Sequence, residues 1–303
     1  MKILLTGGSG FLGRHIRESL DPAFTLVAPS HKEFDVTDAN RVDEVMRDGG
    51  FDAVIHAAVQ GGPAVLETTL RGYWNLARNA SRVGRILYFG SGAEYGKHRD
   101  IAKLPESAIG EETPRDPYGL AKILCNELCR QSRNITNLRI FGLYGPYEGY
   151  TAKFISNAVA KTIAGVPLII RQNVIFDYLW IDDLIRMLPR FLSGERLFAD
   201  VNATPTQSVS LTEIATAVLN EAQLPVEFEV ETPGLNYQYT GDNRRLLQYC
   251  PGFAFTSIEE GVRKLFAYYR AHPELIDHDA LADDAYRRRC GARAATTEGV
   301  TTT

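Results

Sequence analysis

Tyr118 and Lys122 are the residues whose types and spacing best suit proton transfer. They follow Asp116 and Pro117, which are typical of the cap and first position of a helix, so we expect them one turn apart on one helical face. An ammonium beside a phenol favours the phenolate, which would lower the pKa of Tyr118 towards the working pH. The pair is a candidate acid/base unit for an alcohol or carbonyl oxygen, although tyrosine and lysine at this spacing are also common on helix surfaces.

Ser91 is the third candidate for chemistry. It follows the apolar segment 85–89, which predicts a strand, so we expect it at the carboxyl end of that strand. Open α/β sheets bind ligands at that edge, where a hydroxyl can hydrogen-bond a reacting oxygen. A lone serine in a glycine-containing loop would otherwise only form a turn.

The amino-terminal segment predicts a binding site for a dinucleotide. An apolar run at 2–5 precedes Gly7, Gly10 and Gly13, and the residues that follow alternate at helical spacing. The pattern predicts a strand, a tight turn and a helix, whose first amides and dipole suit a pyrophosphate. The glycines also fit Gly8-x-Gly10-x-x-Gly13, the general dinucleotide fingerprint.

Strands and helices alternate along the chain, which predicts an α/β fold of the Rossmann type with a doubly wound parallel sheet. We expect a dinucleotide-binding domain at 1–165 and a smaller mixed α/β substrate-binding region at 166–272, some of whose elements rejoin the first sheet. Residues 273–303 are expected to form a disordered tail. The sequence also predicts a helix at 38–47 with Asp38 as its cap, a helix at 64–82, and strands at 176–181 and 226–230.

The composition narrows the class of protein. A chain of 303 residues that is 45% hydrophobic and 23% charged is ordinary for a soluble enzyme, and its net charge of −4 argues against sequence-independent nucleic-acid binding. No apolar run has the length of a membrane span and the apolar start is too short for a signal peptide, so we expect a cytoplasmic protein with no membrane contact. The four cysteines have no CxxC spacing, and no metal site is predicted. We interpret Cys125 and Cys129, one helical turn apart, as small packing residues.

Together these stretches resemble the extended short-chain dehydrogenase/reductases, the NAD-dependent epimerase/dehydratase group that acts mostly on nucleotide-activated sugars. The resemblance covers about residues 1 to 270 and rests on the following motifs: Thr6 to Gly13, His56-Ala57-Ala58, Ser91 four before Tyr95-Gly96, Tyr118 with Lys122, 138–146, 180–183 and Val201-Asn202. It implies that Tyr118 is the acid/base, that Lys122 binds the nicotinamide ribose and tunes Tyr118, and that Ser91 holds the substrate oxygen. It also implies these dinucleotide contacts: Gly7, Gly10, Phe11, Gly13, Ala57, Ala58 and Lys122.

The end of the second predicted strand indicates which cofactor is preferred. NAD enzymes usually place an acid there for the ribose 2′-hydroxyl, whereas positive charge suits the 2′-phosphate of NADP. This chain has no acid there until Glu33. We therefore expect NADP(H) to be preferred, with NAD(H) as the alternative. The predicted contacts at this end of the cofactor are Ser30, His31, Lys32, Asp35 and Val36.

Departures from the family pattern narrow the reaction. Gly92 and Ala93 stand where the family's dehydratases have Asp and Glu, and Ala93 also replaces the cysteine of reductases that epimerise beside the ketone. We therefore predict NADPH-dependent reduction of the 4-keto group of a nucleotide-linked 4-keto-6-deoxysugar, with Tyr118 as proton donor. The alternative is an NAD-dependent nucleotide-sugar 4-epimerase. A non-enzymatic redox sensor is disfavoured, because such proteins have commonly lost the tyrosine and lysine.

The substrate contacts are less well defined by the sequence. Phe176 stands where the family often has an arginine that reaches the substrate diphosphate. Arg171, Arg244 or Lys153 are candidate replacements, with Arg171 and Arg244 the predicted contacts, because guanidinium suits phosphate; each could equally be a surface ion-pair partner. The resemblance also implies a homodimer, through the helix at 64–82 and the helix that carries the tyrosine and lysine.

Overall fold

A computed structural model describes residues 1–59, 61–225 and 227–293 of the chain. Its strands are β1 Lys2–Thr6, β2 Thr25–Val27, β3 Ala53–His56, β4 Arg85–Ser91, β5 Ile101–Leu104, β6 Ile135–Ile140, β7 Gly142–Tyr144, β8 Ile169–Asn173, β9 Ile175–Phe176, β10 Tyr178–Trp180, β11 Asp200–Ala203, β12 Val209–Ser210, β13 Glu229–Leu235 and β14 Tyr239–Gly241. Its α-helices are α1 Phe11–Ser19, α2 Ala39–Asp48, α3 Val65–Ala77, α4 Pro117–Gln131, α5 Phe154–Ala164, α6 Ile181–Ser193, α7 Leu211–Glu221, α8 Arg244–Tyr249, α9 Ile258–Ala271, α10 His278–Asp283 and α11 Ala285–Arg289.

The chain divides into two compact units. The first unit contains Met1–Leu143, Asp177–Gln207 and Tyr239–Thr256, and the second contains Tyr144–Phe176, Ser208–Gln238 and the chain from Ser257. The chain thus enters the second unit at Tyr144, earlier than the predicted boundary at 166, and returns twice to the first unit. Local sequence patterns do not report such returns, because they depend on pairing between distant segments.

The first unit is built on a parallel sheet with the strand order β11-β6-β4-β3-β1-β2. This order confirms the predicted doubly wound fold, and the pairing of β11 with β6 confirms that a late element rejoins the first sheet. In the register of this sheet Thr6 is aligned with His56, and Ser91 with Ile140. The carboxyl ends of β1, β3 and β4 therefore lie along one edge, where such folds bind ligands.

Both faces of this sheet are covered, as the apolar composition of its strands predicts. Ile3 and Leu5 pack in a core with α6, while Leu4, which points the other way, packs in a second core with α2, α3 and α4. Cys125 and Cys129 are buried in the second core, in agreement with their interpretation as packing residues.

Side-chain caps begin several helices where the sequence predicts them. Asp38 accepts a hydrogen bond from the Arg41 amide at the start of α2. Asp116 accepts one of 2.8 Å from the Gly119 amide at the start of α4, whose first residue is Pro117. The Asp116 cap sets the position at which α4 begins and hence which of its residues face β4.

The second unit contains two small strand pairs and three mutually packed helices. Strand β13 pairs with β8 in parallel, and β12 pairs with β9 in antiparallel orientation. Helices α5, α7 and α9 pack together. The strand predicted to begin at Val226 starts at Glu229 instead, and Val226 itself lies outside the described residues.

Three further elements differ from the sequence-based expectation. The predicted helix at 64–82 ends at Ala77 and is followed by a separate 3-10 helix, Ala80–Arg82. The predicted strand at 176–181 is divided into β9 and β10 at Asp177, which is fully buried and accepts a hydrogen bond from the Gly241 amide. The predicted tail contains α10 and α11 up to Arg289, while residues 294–303 lie outside the described range. None of the helices within the described residues has both the length and the apolar character needed to cross a bilayer.

Candidate active site

The glycine turn after β1 is shaped for close approach to its backbone. Gly7 has a φ of +75°, and a Cβ there would lie 2.5 Å from the amide nitrogen of Ala58. A Cβ on Gly13 would lie 2.0 Å from the Gly7 carbonyl oxygen, so only glycine fits at either position. Gly8 is less restricted, because its Cβ would meet neighbouring side chains at 3.2 Å. The geometry therefore matches the spacing Gly7-x-x-Gly10-x-x-Gly13.

The start of α1 fits the pyrophosphate of a dinucleotide. Gly10 is its N-cap, Phe11 is its first residue, and neither a side-chain cap nor an acidic side chain occupies its first turn. The first amides of a helix have no partner within the helix, and the positive end of its dipole attracts an anion. Ala57 follows β3 and donates its amide to the Thr6 carbonyl oxygen, which places it beside the turn.

The turn after β2 carries a carboxylate as well as the predicted cations. Ser30, His31 and Lys32 are exposed there. The Glu33 carboxylate folds back and accepts hydrogen bonds from the Ser30 amide and hydroxyl, both 2.8 Å long, which lower the pKa of Glu33. An anion therefore stands among the residues predicted to bind the 2′-phosphate. The sequence indicated the presence of Glu33 but not the return of its carboxylate onto Ser30.

Asp35 and Val36, which precede α2, both have contacts within the protein. Asp35 accepts hydrogen bonds of 2.8 Å from the Thr37 amide and hydroxyl. A Cβ on Gly72 of α3 would lie 2.9 Å from the Val36 side chain, so Val36 packs against α3 where that helix has no side chain. Their contact with the adenine stays a prediction.

The three residues predicted to carry the chemistry converge in the first unit. Ser91 ends β4 and is 7% exposed. Burial raises the pKa of the Tyr118 phenol, and hydrogen bonding with the Ser91 side chain acts to lower it. The Lys122 ammonium is buried, donates to the Phe89 carbonyl oxygen at 2.7 Å, and lies 5.7 Å from the centre of the Tyr118 ring. A hydroxyl, a phenol and an ammonium thus share one small site.

The expected lowering of the Tyr118 pKa by Lys122 is wrong for this structure. Burial is the largest influence and raises the pKa of Tyr118 above its ordinary value, while the Ser91 hydrogen bond opposes the rise only in part. Burial also lowers the pKa of Lys122. The physical reason is that helical spacing predicts proximity, whereas burial depends on segments distant in sequence.

A buried ion pair between Glu94 and Arg139 is hydrogen-bonded to the backbone of Ser91. The Ser91 amide donates to Glu94 Oε1 at 2.9 Å, and the other oxygen of Glu94 accepts from Arg139 Nε at 2.6 Å. Arg139 also donates to Asp200 Oδ2 at 3.0 Å. Glu94 and Arg139 are both 0% exposed, so the backbone of Ser91 is tied to strands β6 and β11 through charges that water does not reach.

Two residues near the site were missed by sequence reasoning. The hydroxyl of Tyr239 lies 3.3 Å from Ser91 Oγ, and the Lys97 ammonium lies 5.7 Å from the Tyr118 ring centre and 5.5 Å from that of Tyr239. The local sequence signal for Tyr239 was Gly92, which stands where the family's dehydratases have an acid. A Cβ on Gly92 would lie 2.8 Å from the Tyr239 ring, so the glycine leaves room for that ring.

The predicted substrate arginines have ion-pair partners within their own units. Arg171, in the second unit, pairs with Glu231 at 2.9 Å. Arg244, in the first, pairs with Asp242 at 2.6 Å and is 80% exposed. The surface ion-pair interpretation accounts for both geometries, so their contact with a substrate stays a prediction. Lys153 is exposed just before α5, and half-buried Phe176 ends β9.

The fold and these side chains define a dinucleotide-binding α/β enzyme with a serine, tyrosine and lysine site. The sequence profile of the NAD dependent epimerase/dehydratase family matches residues 3–199, and the chain belongs to that family. It is thus an NAD(P)-dependent enzyme, as the resemblance implied.

Individual relatives include reductases and epimerases. The chain is 29% identical over 257 residues to GDP-6-deoxy-D-mannose reductase from Pseudomonas aeruginosa, covering 75% of this chain and 82% of that protein. Its fold resembles a GDP-L-fucose synthetase from Naegleria fowleri bound to NADP, with a TM-score of 0.77, 16% identity and coverage of 90% and 95% of the two chains. It also resembles UDP-glucose 4-epimerase from Thermotoga maritima with UDP-glucose, with a TM-score of 0.73, 19% identity and coverage of 89% and 99%.

Proposed function

We propose that this chain reduces the 4-keto group of a nucleotide-linked 4-keto-6-deoxysugar with NADPH, and that Tyr118 donates the proton. The observation that carries the proposal is the convergence of Ser91, Tyr118 and Lys122 in one buried site. The similarity to GDP-6-deoxy-D-mannose reductase supports a nucleotide-linked sugar as substrate. A cytoplasmic location stays a prediction.

The three side chains have separate tasks in this reaction. The Ser91 hydroxyl donates a hydrogen bond to the ketone oxygen, and Tyr118 gives its proton to the same oxygen as it becomes an alcohol. The Lys122 ammonium, held by the Phe89 carbonyl, binds the nicotinamide ribose and stabilises the phenolate that remains. Bound NADPH supplies the hydride to the sugar carbon.

The protonation state of Tyr118 suits the role of proton donor. Burial raises the pKa of Tyr118, so the phenol holds its proton at neutral pH. This is the form that can give a proton to the ketone oxygen.

The alternative function is an NAD-dependent nucleotide-sugar 4-epimerase. The carboxylate of Glu33 beside Ser30 favours it, because an acid after the second strand suits the ribose hydroxyls of NAD. The fold similarity to UDP-glucose 4-epimerase is compatible with it.

A panel of nucleotide-linked 4-ketosugars, assayed with NADPH and with NADH, distinguishes the two functions. We expect ketone-dependent oxidation of NADPH and a single product configuration. Absorbance and mass spectrometry of the purified protein provide the second measurement. Stoichiometric NAD retained through purification, with conversion of a sugar nucleotide to its 4-epimer, would overturn the reductase proposal.

Glu33 provides a test of cofactor preference. Replacing it (Glu33→Gln) removes a negative charge beside Ser30, Lys32 and His31, so binding of the 2′-phosphate should improve. We expect KM for NADPH to fall roughly fivefold with little change in KM for NADH. Glu44→Gln, at an exposed ion pair on α2, is the control. An equal change for both cofactors would place the 2′-phosphate elsewhere.

The homodimer implied by the family resemblance is also proposed for this chain. Trp74 on α3 is 54% exposed and Leu124 on α4 is 42% exposed, and the two helices pack together in the first unit. Large apolar side chains left exposed on neighbouring helices are typical of an interface. A second copy of the same two helices would cover them.

Trp74→Glu is expected to convert a dimer into a monomer, because a carboxylate would have to be buried in the interface without a partner. Light scattering coupled to size-exclusion chromatography measures the mass. Leu197→Glu, at an apolar residue that is 43% exposed outside the helices, should leave the mass unchanged. A monomeric wild-type protein would contradict the dimer.

A further inference from the structure

Tyr239 lies beside the candidate catalytic serine but has no role in the reaction described above. It begins β14, which pairs with β5 in the first unit, and its side chain is 6% exposed. Its hydroxyl oxygen is 3.3 Å from Ser91 Oγ. The two residues are 148 positions apart in the sequence, so their contact is a product of the fold.

The Phe141 and Tyr239 rings occupy space that a side chain at position 92 would need, and this chain has glycine there. A Cβ on Gly92 would lie 2.6 Å from the Phe141 ring and 2.8 Å from Tyr239 Cζ. The Phe141 and Tyr239 rings are in edge contact, with centres 5.2 Å apart. A side chain at position 92 would therefore require the Phe141 and Tyr239 rings to shift.

The hydrogen bonds of Ser91 show what the phenol can do. A serine hydroxyl has one hydrogen to donate and two lone pairs to accept with. The Ala93 amide donates to Ser91 Oγ at 3.2 Å and occupies one lone pair. Burial raises the pKa of Tyr239 far above its ordinary value, so its phenol keeps the hydrogen that the second lone pair can accept. When Tyr239 is the donor of this pair, both lone pairs are occupied, and the hydrogen of Ser91 is left for the Tyr118 phenol or for a bound ketone oxygen.

We propose that Tyr239 is a positioning residue that donates its hydroxyl hydrogen to Ser91 Oγ and so directs the Ser91 hydrogen towards the substrate carbonyl oxygen. The inference rests on the proposed function, since it assigns a specific orientation to the hydroxyl that Ser91 contributes there. The Lys97 ammonium lies within cation–π distance of the rings of both Tyr118 and Tyr239, so it links the two tyrosines near Ser91.

Tyr239→Phe tests the proposal because it keeps the ring and removes only the hydroxyl. We expect kcat to fall about tenfold with the KM for NADPH unchanged, a smaller loss than removal of a direct oxyanion donor causes. In a Ser91→Ala background the same substitution should cause no further loss, because Tyr239 acts only through Ser91. Tyr73→Phe, whose buried hydroxyl contacts Cys129 Sγ at 3.2 Å, is the control and should leave kcat unchanged.

Two results would overturn the proposal: a tenfold loss that persists in the Ser91→Ala background, or full kcat in Tyr239→Phe. If the wild-type protein epimerises a sugar nucleotide and reduces no ketosugar, the proposed function fails, and the same cycle measured on epimerisation still tests Tyr239. Neutron diffraction of the deuterated full chain locates the deuterium in the hydrogen bond between Tyr239 and Ser91, and it needs no measurement of activity. We expect the Tyr239 deuterium between the two oxygens; a Ser91 deuterium there would overturn the proposal.

Discussion

Replacing Tyr118 with phenylalanine is expected to lower kcat by about 10² to 10⁴ fold while binding of NADPH is unchanged. The variant keeps the ring but loses the proton that the ketone oxygen must receive. Ser91 and Lys122 remain in place, so the site still binds its ligands. Steady-state rates of NADPH oxidation give kcat, and quenching of protein fluorescence by NADPH gives the affinity.

The appropriate control for Tyr118→Phe is a second buried phenol that the reaction does not use. Tyr249 is 7% exposed, and its hydroxyl accepts hydrogen bonds from the Leu197 and Phe198 amides at 2.7 and 3.1 Å. Tyr249→Phe should lower the thermal midpoint more than kcat. If Tyr118→Phe retained wild-type kcat, the assignment of the proton donor would be wrong.

Sequence patterns predicted the site best where its parts are local. The glycine turn, the cap at Asp116 and the spacing of Tyr118 and Lys122 all lie within short segments, and the fold places them as expected. The order of apolar strands and helices likewise predicted the parallel sheet. In each case the physical cause, a steric, capping or periodic effect, acts over a few residues.

Features that depend on distant pairing were not predicted. Strands β5 and β14 are short, and they are joined by contacts such as that of the Lys103 amide with the Thr240 hydroxyl, 137 positions away. This pairing helps to place Tyr239 beside Ser91. The return of Glu33 onto Ser30 was missed for a different reason, because a side-chain rotamer is not encoded in residue spacing.

The buried ion pairs of Arg139 with Glu94 and Asp200, next to Ser91, are a further feature that residue spacing does not predict. Arg139 is fully buried within β6 and donates hydrogen bonds to Glu94, Asp200 and Asn202. Its guanidinium also lies 5.1 Å from the centre of the Tyr95 ring. A fully buried arginine is tolerated in this strand because its donors are taken up by these partners.

Arg139→Met is expected to destabilise the protein by about 3 to 5 kcal/mol, because it leaves the buried Glu94 carboxylate without its guanidinium partner. Asp200 keeps the nearby Arg130 and Arg245, so the loss falls mainly on Glu94. Urea unfolding followed by circular dichroism measures the effect. Arg47→Met, which removes an exposed ion pair with Asp48, should leave the midpoint unchanged.

A second substitution separates the loss of charge pairing from the loss of packing. Adding Glu94→Gln to Arg139→Met removes the unpaired charge, so the double variant should be more stable than Arg139→Met alone. Glu94 also accepts the Ser91 amide, and glutamine keeps an oxygen for that bond. If Arg139→Met unfolded at the wild-type urea midpoint, the charges behind Ser91 would not be what holds the serine at the end of β4.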